Sequence, residues 1–217
     1  MRTHTIRLVL ALFSGATFCA QALFGQPQAP ADVVVQQLRD LPTPIPHCCN
    51  GPSTLGQPLR KPESEVRRDD LYRQLRDMGQ EGVQGLARAY RDPDVRLRRN
   101  AALALLVLGG GYGMEAPMDV SPALVALTDA LRDSDSDVRA WSAQAIGHIG
   151  ASATPAVPKL IDLLNGDEAA RNSACIALRK IGPNAAAALP SLRRALSDPS
   201  EDVRRFAELA IEAIDGQ

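Results

Sequence analysis

Five stretches of this chain begin with Ser or Asp, carry Arg at their fifth position and share one apolar stripe. They read SEVRRDDLYRQLRDMG (64–79), DVRLRRNAALALLVLG (94–109), DSDVRAWSAQAIGHIG (135–150), DEAARNSACIALRKIG (167–182) and SEDVRRFAELAIEAID (200–215). The arginines are Arg68, Arg98, Arg139, Arg171 and Arg204, stepping by 30, 41, 32 and 33 residues. A pattern that recurs at this period builds one supersecondary unit several times, and each unit buries its apolar face only against its neighbours. The fold must therefore be a stack.

Within a segment the apolar residues recur every three or four positions, as Val138, Ala145, Ile146 and Ile149 do, which predicts an amphipathic helix. The leading Ser or Asp can accept the free amides of the first turn, and the closing Gly79, Gly109, Gly150 and Gly182 can take the left-handed conformation that ends a helix. A second apolar stripe lies between these helices: VQGLARAYRD (83–92), PALVALTDALRD (122–133), VPKLIDLLNG (157–166), LPSLRRALSD (189–198) and, ahead of the first segment, DVVVQQLRDL (32–41). Pro122, Pro158 and Pro190 stand near helix starts, where a missing amide donor costs nothing. Each unit is a helical hairpin, and the expected fold is all-α. The acidic opening of DSDSDVRAWSAQAIGHIG (133–150) imitates a calcium loop, but Val138 and Gln144 stand where such a loop needs Gly and Glu. Asp135 reads instead as a helix cap.

The Asp-x-x-Val-Arg start of the second helix, DSDVR at 135–139 and loosely SEDVR at 200–204, resembles the HEAT-repeat family. It is similar above all to the short HEAT-like repeats typified by phycobilisome lyase subunits. DEAAR at 167–171 keeps Asp and Arg but has Ala170 for Val; Leu97 takes that place in 94–98, and 64–68 departs further. The resemblance implies a right-handed α-solenoid of about five hairpins whose inner face is lined mainly by the second helices. It covers residues 80–215 well and 32–79 weakly.

The first 22 residues differ from the rest. Arg2, His4 and Arg7 precede an apolar run from Leu8 to Phe18, and Ala20-Gln21-Ala22 has small residues flanking a cleavage point, the build of a secretory signal peptide cut after Ala22. The expected organisation is a signal at 1–22, a linker at 23–31 and a repeat domain at 32–217, whose first hairpin (32–79) is degenerate and carries a Pro-rich loop at 41–62. Export predicts a secreted or periplasmic protein without a membrane span once the signal is removed. The chain has 24 basic and 25 acidic residues, and losing Arg2 and Arg7 makes it slightly acidic, which gives no reason to expect nucleic acid.

Several residues invite a chemical reading. The arginine column suits a structural ladder, each planar guanidinium bonding an Asp or carbonyl of the next repeat; a ligand-binding row is the alternative. His47-Cys48-Cys49 is too short to chelate a metal by itself, and in an exported protein Cys48 and Cys49 suit a disulfide, with each other or with a partner chain, free thiols being the other reading. Cys175 reads as a small core residue and His148 as structural. GGGYGMEAPMD (109–119) lacks the Lys-Ser/Thr of a phosphate loop and is an inserted loop. Leu103 and Leu106 would face outward, so either the insertion (Tyr112, Met114, Met118), the Pro-rich segment or a partner must cover them. Trp141 and Phe206 hold equal places at the edge of the stripe and are, with Leu103 and Leu106, the partner-contact candidates.

No catalytic, cofactor-binding or metal-ligating residue is assigned, and no cofactor is expected. The sequence therefore points to an exported scaffold that binds protein partners. The family resemblance implies an alternative from another class: a lyase or chaperone-like factor for a tetrapyrrole such as a bilin or haem.

Overall fold

The computed structural model describes residues 30–43, 62–113 and 116–216. The signal peptide, most of the linker, His47, Cys48, Cys49 and Met114 lie outside them. The helices are α1 (Pro30–Gln36), α2 (Glu63–Asp77), α3 (Gln80–Ala89), α4 (Val95–Leu108), α5 (Leu124–Ala130), α6 (Ser136–Ile149), α7 (Val157–Leu163), α8 (Glu168–Ile181), α9 (Leu189–Ala195) and α10 (Glu201–Asp215). There is no strand among the described residues. Short 3-10 turns follow α1 (Gln37–Asp40) and lead into α5 (Ser121–Ala123), α7 (Gly150–Ala156) and α9 (Gly182–Ala188). The first helix thus begins within the stretch expected to be linker.

Odd-numbered helices are the first members of the hairpins and even-numbered helices the second. In the second layer α4 packs on α6, α6 on α8 and α8 on α10, while α5, α7 and α9 each pack on the even helix that follows. The layers meet through fully buried side chains, among them Leu86, Leu105, Leu127, Ile146, Leu160 and Leu178. Each contributes about 1.5–3 kcal/mol from surface removed from water. Small residues set the spacing. A methyl on Gly147 of α6 would come within 2.9 Å of the Ala177 Cα of α8, so the two backbones are nearly in contact there.

The helix ends follow the expected pattern with three corrections. Asp94, Asp135 and Asp167 accept from the amides of Arg96, Val138 and Ala170 at 2.9, 3.1 and 3.0 Å. Ser200 does not cap; its hydroxyl donates to Glu168 Oε1 at 2.8 Å. Ser64 lies inside α2, which starts at Glu63 after Pro62. The closing glycines also differ from a left-handed cap: Gly150 (φ 68°, ψ −140°) and Gly182 (φ 69°, ψ −142°) mirror the extended conformation, which places the chain directly into the next 3-10 turn. At the insertion Gly109 has φ −77° and Gly110 takes the positive φ.

The first hairpin is the irregular one. α4 packs on the 3-10 turn after α1 and meets α2 only lightly. Buried Asn100 of α4 donates from Nδ2 to the carbonyls of Leu38 (2.8 Å) and Leu41 (3.1 Å), tying that turn to the stack.

Candidate interaction surface

Two edges of the second-helix layer carry its charge, and they differ. At the helix starts, arginine meets aspartate from repeat to repeat. Arg98 donates to both oxygens of Asp133 (2.8 and 3.1 Å) and to the carbonyl of Asp92 (3.0 Å). Arg139 bonds Asp167 of the next unit and the Asp133 carbonyl. Arg171 forks onto Asp198 (2.7 and 2.9 Å) and holds the Gly166 carbonyl at 3.0 Å. Arg204, in the last hairpin, keeps the carbonyl half through Asp198 and Pro199, and Arg68, in the first, donates to the Pro42 carbonyl.

The sequence reading missed one column of this array. Asp92, Asp133 and Asp198 lie two residues before Asp94, Asp135 and Ser200, and each also accepts that residue's amide at 2.9 Å. The signal was the Asp-x-Asp and Asp-x-Ser spacing of DPD (92–94), DSD (133–135) and DPS (198–200). Each such carboxylate folds the turn before a helix and presents its oxygens to an arginine: for Asp133 and Asp198 the ladder arginine of the preceding repeat, for Asp92 Arg39, at 2.7 Å. Arg99 adds a parallel bond to Asp135, and that hydrogen bond is the largest force holding the Asp135 carboxyl below its ordinary range. Arg171 does the same for Asp198.

Away from this ladder, Lys180 and Arg179 near the end of α8 have no carboxylate partner among the described residues. Lys180 of α8 places Nζ 2.9 Å from Nε2 of His148 on α6. Arg179 turns the other way and sits over the Phe206 ring of α10, with Cζ 6.0 Å from its centre; Arg205 lies over the same ring at 4.8 Å. Burial, reinforced by the neighbouring Lys180 charge, pushes the His148 pKa down. Burial and Arg179 push that of Lys180 down.

The partner-contact candidates fare differently. Trp141 is 6% exposed and Leu106 1% exposed, with Leu103 buried beside it, so these three side chains are closed off within the solenoid. The insertion itself covers Leu106: a methyl on Gly111 would come within 2.8 Å of that side chain. Its Tyr112 is 71% exposed, whereas Met118 is partly buried and Val120 buried against the core. Phe206 remains half-buried at the surface under its two arginines. Cys175 is buried and its thiol pushed up to about 12 by desolvation. No helix among the described residues is long and apolar enough to cross a membrane.

The HEAT repeats family matches residues 124–212. No curated protein matches the sequence significantly. Among solved structures, an engineered protein aligns at TM-score 0.58 and 22% identity, over 86% of this chain and 79% of the other. A computationally designed armadillo repeat protein for modular peptide recognition aligns at 0.54 and 23%, over 66% and 68%. The complex of CpcE and CpcF of phycocyanin lyase from Nostoc sp. PCC7120 contains a chain that aligns at 0.56 and 22%, over 89% and 68%. These likenesses concern the fold. The described residues form an all-α repeat solenoid, and residues 124–212 match the HEAT repeats family.

Proposed function

We propose that this chain is an exported, non-catalytic scaffold that binds a protein partner through the open face of its second-helix layer. The observation that carries the reading is Phe206. It is an aromatic side chain left half-buried at the surface between two guanidiniums, whereas Trp141, at the equivalent place of α6, is buried. Aromatic residues and arginine are the types enriched at binding hot spots, and stacked repeats suit extended contact surfaces. The N-terminal pattern of basic residues, apolar run and Ala-Gln-Ala supports export.

The test is to express the full chain with a C-terminal tag, fractionate the cells and cross-link the envelope fraction. An exported form beginning at Leu23, cross-linked to a reproducible partner that Phe206→Ala no longer retains, is the expected result. Recovery of natively folded, exported protein without any partner would overturn the scaffold reading.

A second reading draws on the fold shared with a chain of the phycocyanin lyase complex. It makes the protein a lyase or chaperone-like factor for a tetrapyrrole. Titration with a bilin and with haem separates the two: an absorbance shift that saturates at one equivalent favours the lyase reading, and an unchanged spectrum sets it aside.

A further inference from the structure

The geometry points to an acidic, extended segment of a partner protein as the occupant of a cationic row formed by Lys180, Arg179 and Arg205 around Phe206, with the imidazole of His148 at its near end. This deepens the scaffold reading and rests on it. The row crosses three consecutive second helices: His148 on α6, Lys180 and Arg179 on α8, Phe206 and Arg205 on α10. Lys180 reaches back to His148 at 2.9 Å and Arg179 reaches forward over Phe206 at 6.0 Å, so the two neighbours bridge the layer in opposite directions.

What sets Arg179 and Lys180 apart is their lack of matched charge. Along the helix starts Arg98, Arg99, Arg139 and Arg171 each grip an aspartate. Among the described residues neither Arg179 nor Lys180 has an ion pair. Of the acidic residues on the same face of α10, Asp202 pairs with Arg205 at 2.9 Å, one helical turn away and well exposed, and Glu208 and Glu212 bridge to neither Arg179 nor Lys180. Cations near helix ends gain from the helix dipole, and that accounts for placing one of them there. It does not account for Arg179 and Lys180 side by side, where burial and then the Arg179 charge disfavour the Lys180 ammonium, or for Arg205 at the start of α10.

The dimensions fit a peptide. Helices packed at about 8–10 Å put roughly 20 Å between the outer members of the row, the length of about six residues of extended chain at about 3.3 Å each. Such a segment would lay carboxylates on Lys180 and Arg179 and seat an apolar side chain against Phe206. Neither the N-terminal 29 residues nor the 44–61 loop contains an Asp or Glu, and Glu115 is the one acidic residue outside the described ones, so no such segment of this chain supplies a run of carboxylates.

The probe is a fluorescein-labelled six-residue peptide of five glutamates and one phenylalanine, with the lysine counterpart as control, read by fluorescence anisotropy against the full chain. We expect the glutamate peptide alone to bind, more weakly at 200 mM than at 50 mM salt. Its affinity should fall at least tenfold in the double variant R179E/K180E and less than twofold in R132E, on the first-helix side. The neutral pair R179Q/K180Q, checked for a native circular-dichroism melt, should cost at least fivefold and guards against misfolding of the reversed pair. Equal binding by all variants, or equal binding of the lysine peptide, overturns the inference. So does competition by inorganic phosphate as strong as by unlabelled peptide, because a single anion then fills the site. A cross-linked partner retained by R179E/K180E leaves the scaffold reading standing and removes this one; no partner and no peptide binding removes both.

Discussion

Replacing Arg98 by Ala tests whether the arginine ladder holds the repeats together. The Arg98 guanidinium makes two bonds to Asp133 and reaches the carbonyls of Asp92 and Pro93 at 3.0 and 3.2 Å. The two side chains are only 13% and 10% exposed. Exposed ion pairs contribute about 0–1 kcal/mol, whereas removing one partner of a buried pair costs about 3–5 kcal/mol because the other charge is stranded. This pair lies toward the buried limit, but Asp133 keeps the Asp135 amide as a donor at 2.9 Å, which softens the loss. The expected cost is therefore about 3 kcal/mol, or a fall of roughly 6–12 °C in Tm for a chain of this length.

The assay is urea unfolding followed both by circular dichroism and by fluorescence of Trp141, the one tryptophan. Coincident curves show that the stack unfolds as a unit, which stacked repeats need not do. Arg98→Lys keeps the charge but not the fork, and should lose about half as much. Arg73→Ala is the control, since Arg73 pairs with Asp70 at 2.7 Å with both side chains largely exposed; it should cost under about 0.5 kcal/mol. An Arg98→Ala loss below about 1 kcal/mol, or equal to that of Arg73→Ala, would refute the ladder as a source of stability.

Three further outcomes follow from the same geometry. Asp135 and Asp198 are held below their ordinary value of 3.8, chiefly by the hydrogen bonds from Arg99 and Arg171. A depressed folded pKa gives stability that is complete above the unfolded value and is lost as pH falls through the folded one, so the urea midpoint should stay level from pH 7 to 5 and drop below about pH 4. Arg171→Ala should flatten that drop. Gly150→Ala meets no atom within 4 Å, so its cost is backbone strain alone, about 1–3 kcal/mol; a neutral effect in the melt would mean that the turn relaxes. Cys175 should resist a thiol reagent such as dithionitrobenzoate in the native protein and react at once in denaturant, whereas rapid native labelling would show that α8 opens locally.

Most of the architecture was legible because the repeat states it several times. Period, stripe and cap agree in 135–150 and 167–182, and there each helix falls within about a residue of its expected place. Legibility failed where a copy departed from the rest. Ser200 has the right residue type for a cap, yet its hydroxyl finds the Glu168 carboxylate, a competitor that only the stacked neighbour provides. Leu103 and Leu106 looked exposed because their equivalents in other repeats are polar; the insertion that covers Leu106 is local in sequence, but its path is not encoded in any period. Trp141 shows the converse. It shares its position with Phe206, yet one is enclosed by the hairpins on either side and the other lies at the far end of the layer, with no described helix beyond α10 to cover it.

That difference between equivalent positions is also what separates structure from function in this fold. Every repeat inherits the same Ser/Asp, Arg and apolar scaffold, so residues that recur in all copies are explained by stacking alone. Arg98, Arg139 and Arg171 recur, and all three are consumed by aspartates of the next unit. Lys180 does not recur, and Arg179 recurs only as Arg76 of the degenerate first copy: the corresponding places hold Arg76 and Asp77 in α2, Leu106 and Val107 in α4, Gly147 and His148 in α6, and Glu212 and Ala213 in α10. Lys180 is a charge that the repeat does not require, set beside Arg179 with no carboxylate partner among the described residues, and burial with the Arg179 charge disfavours its protonated form. An acidic ligand would supply the anion that those charges lack.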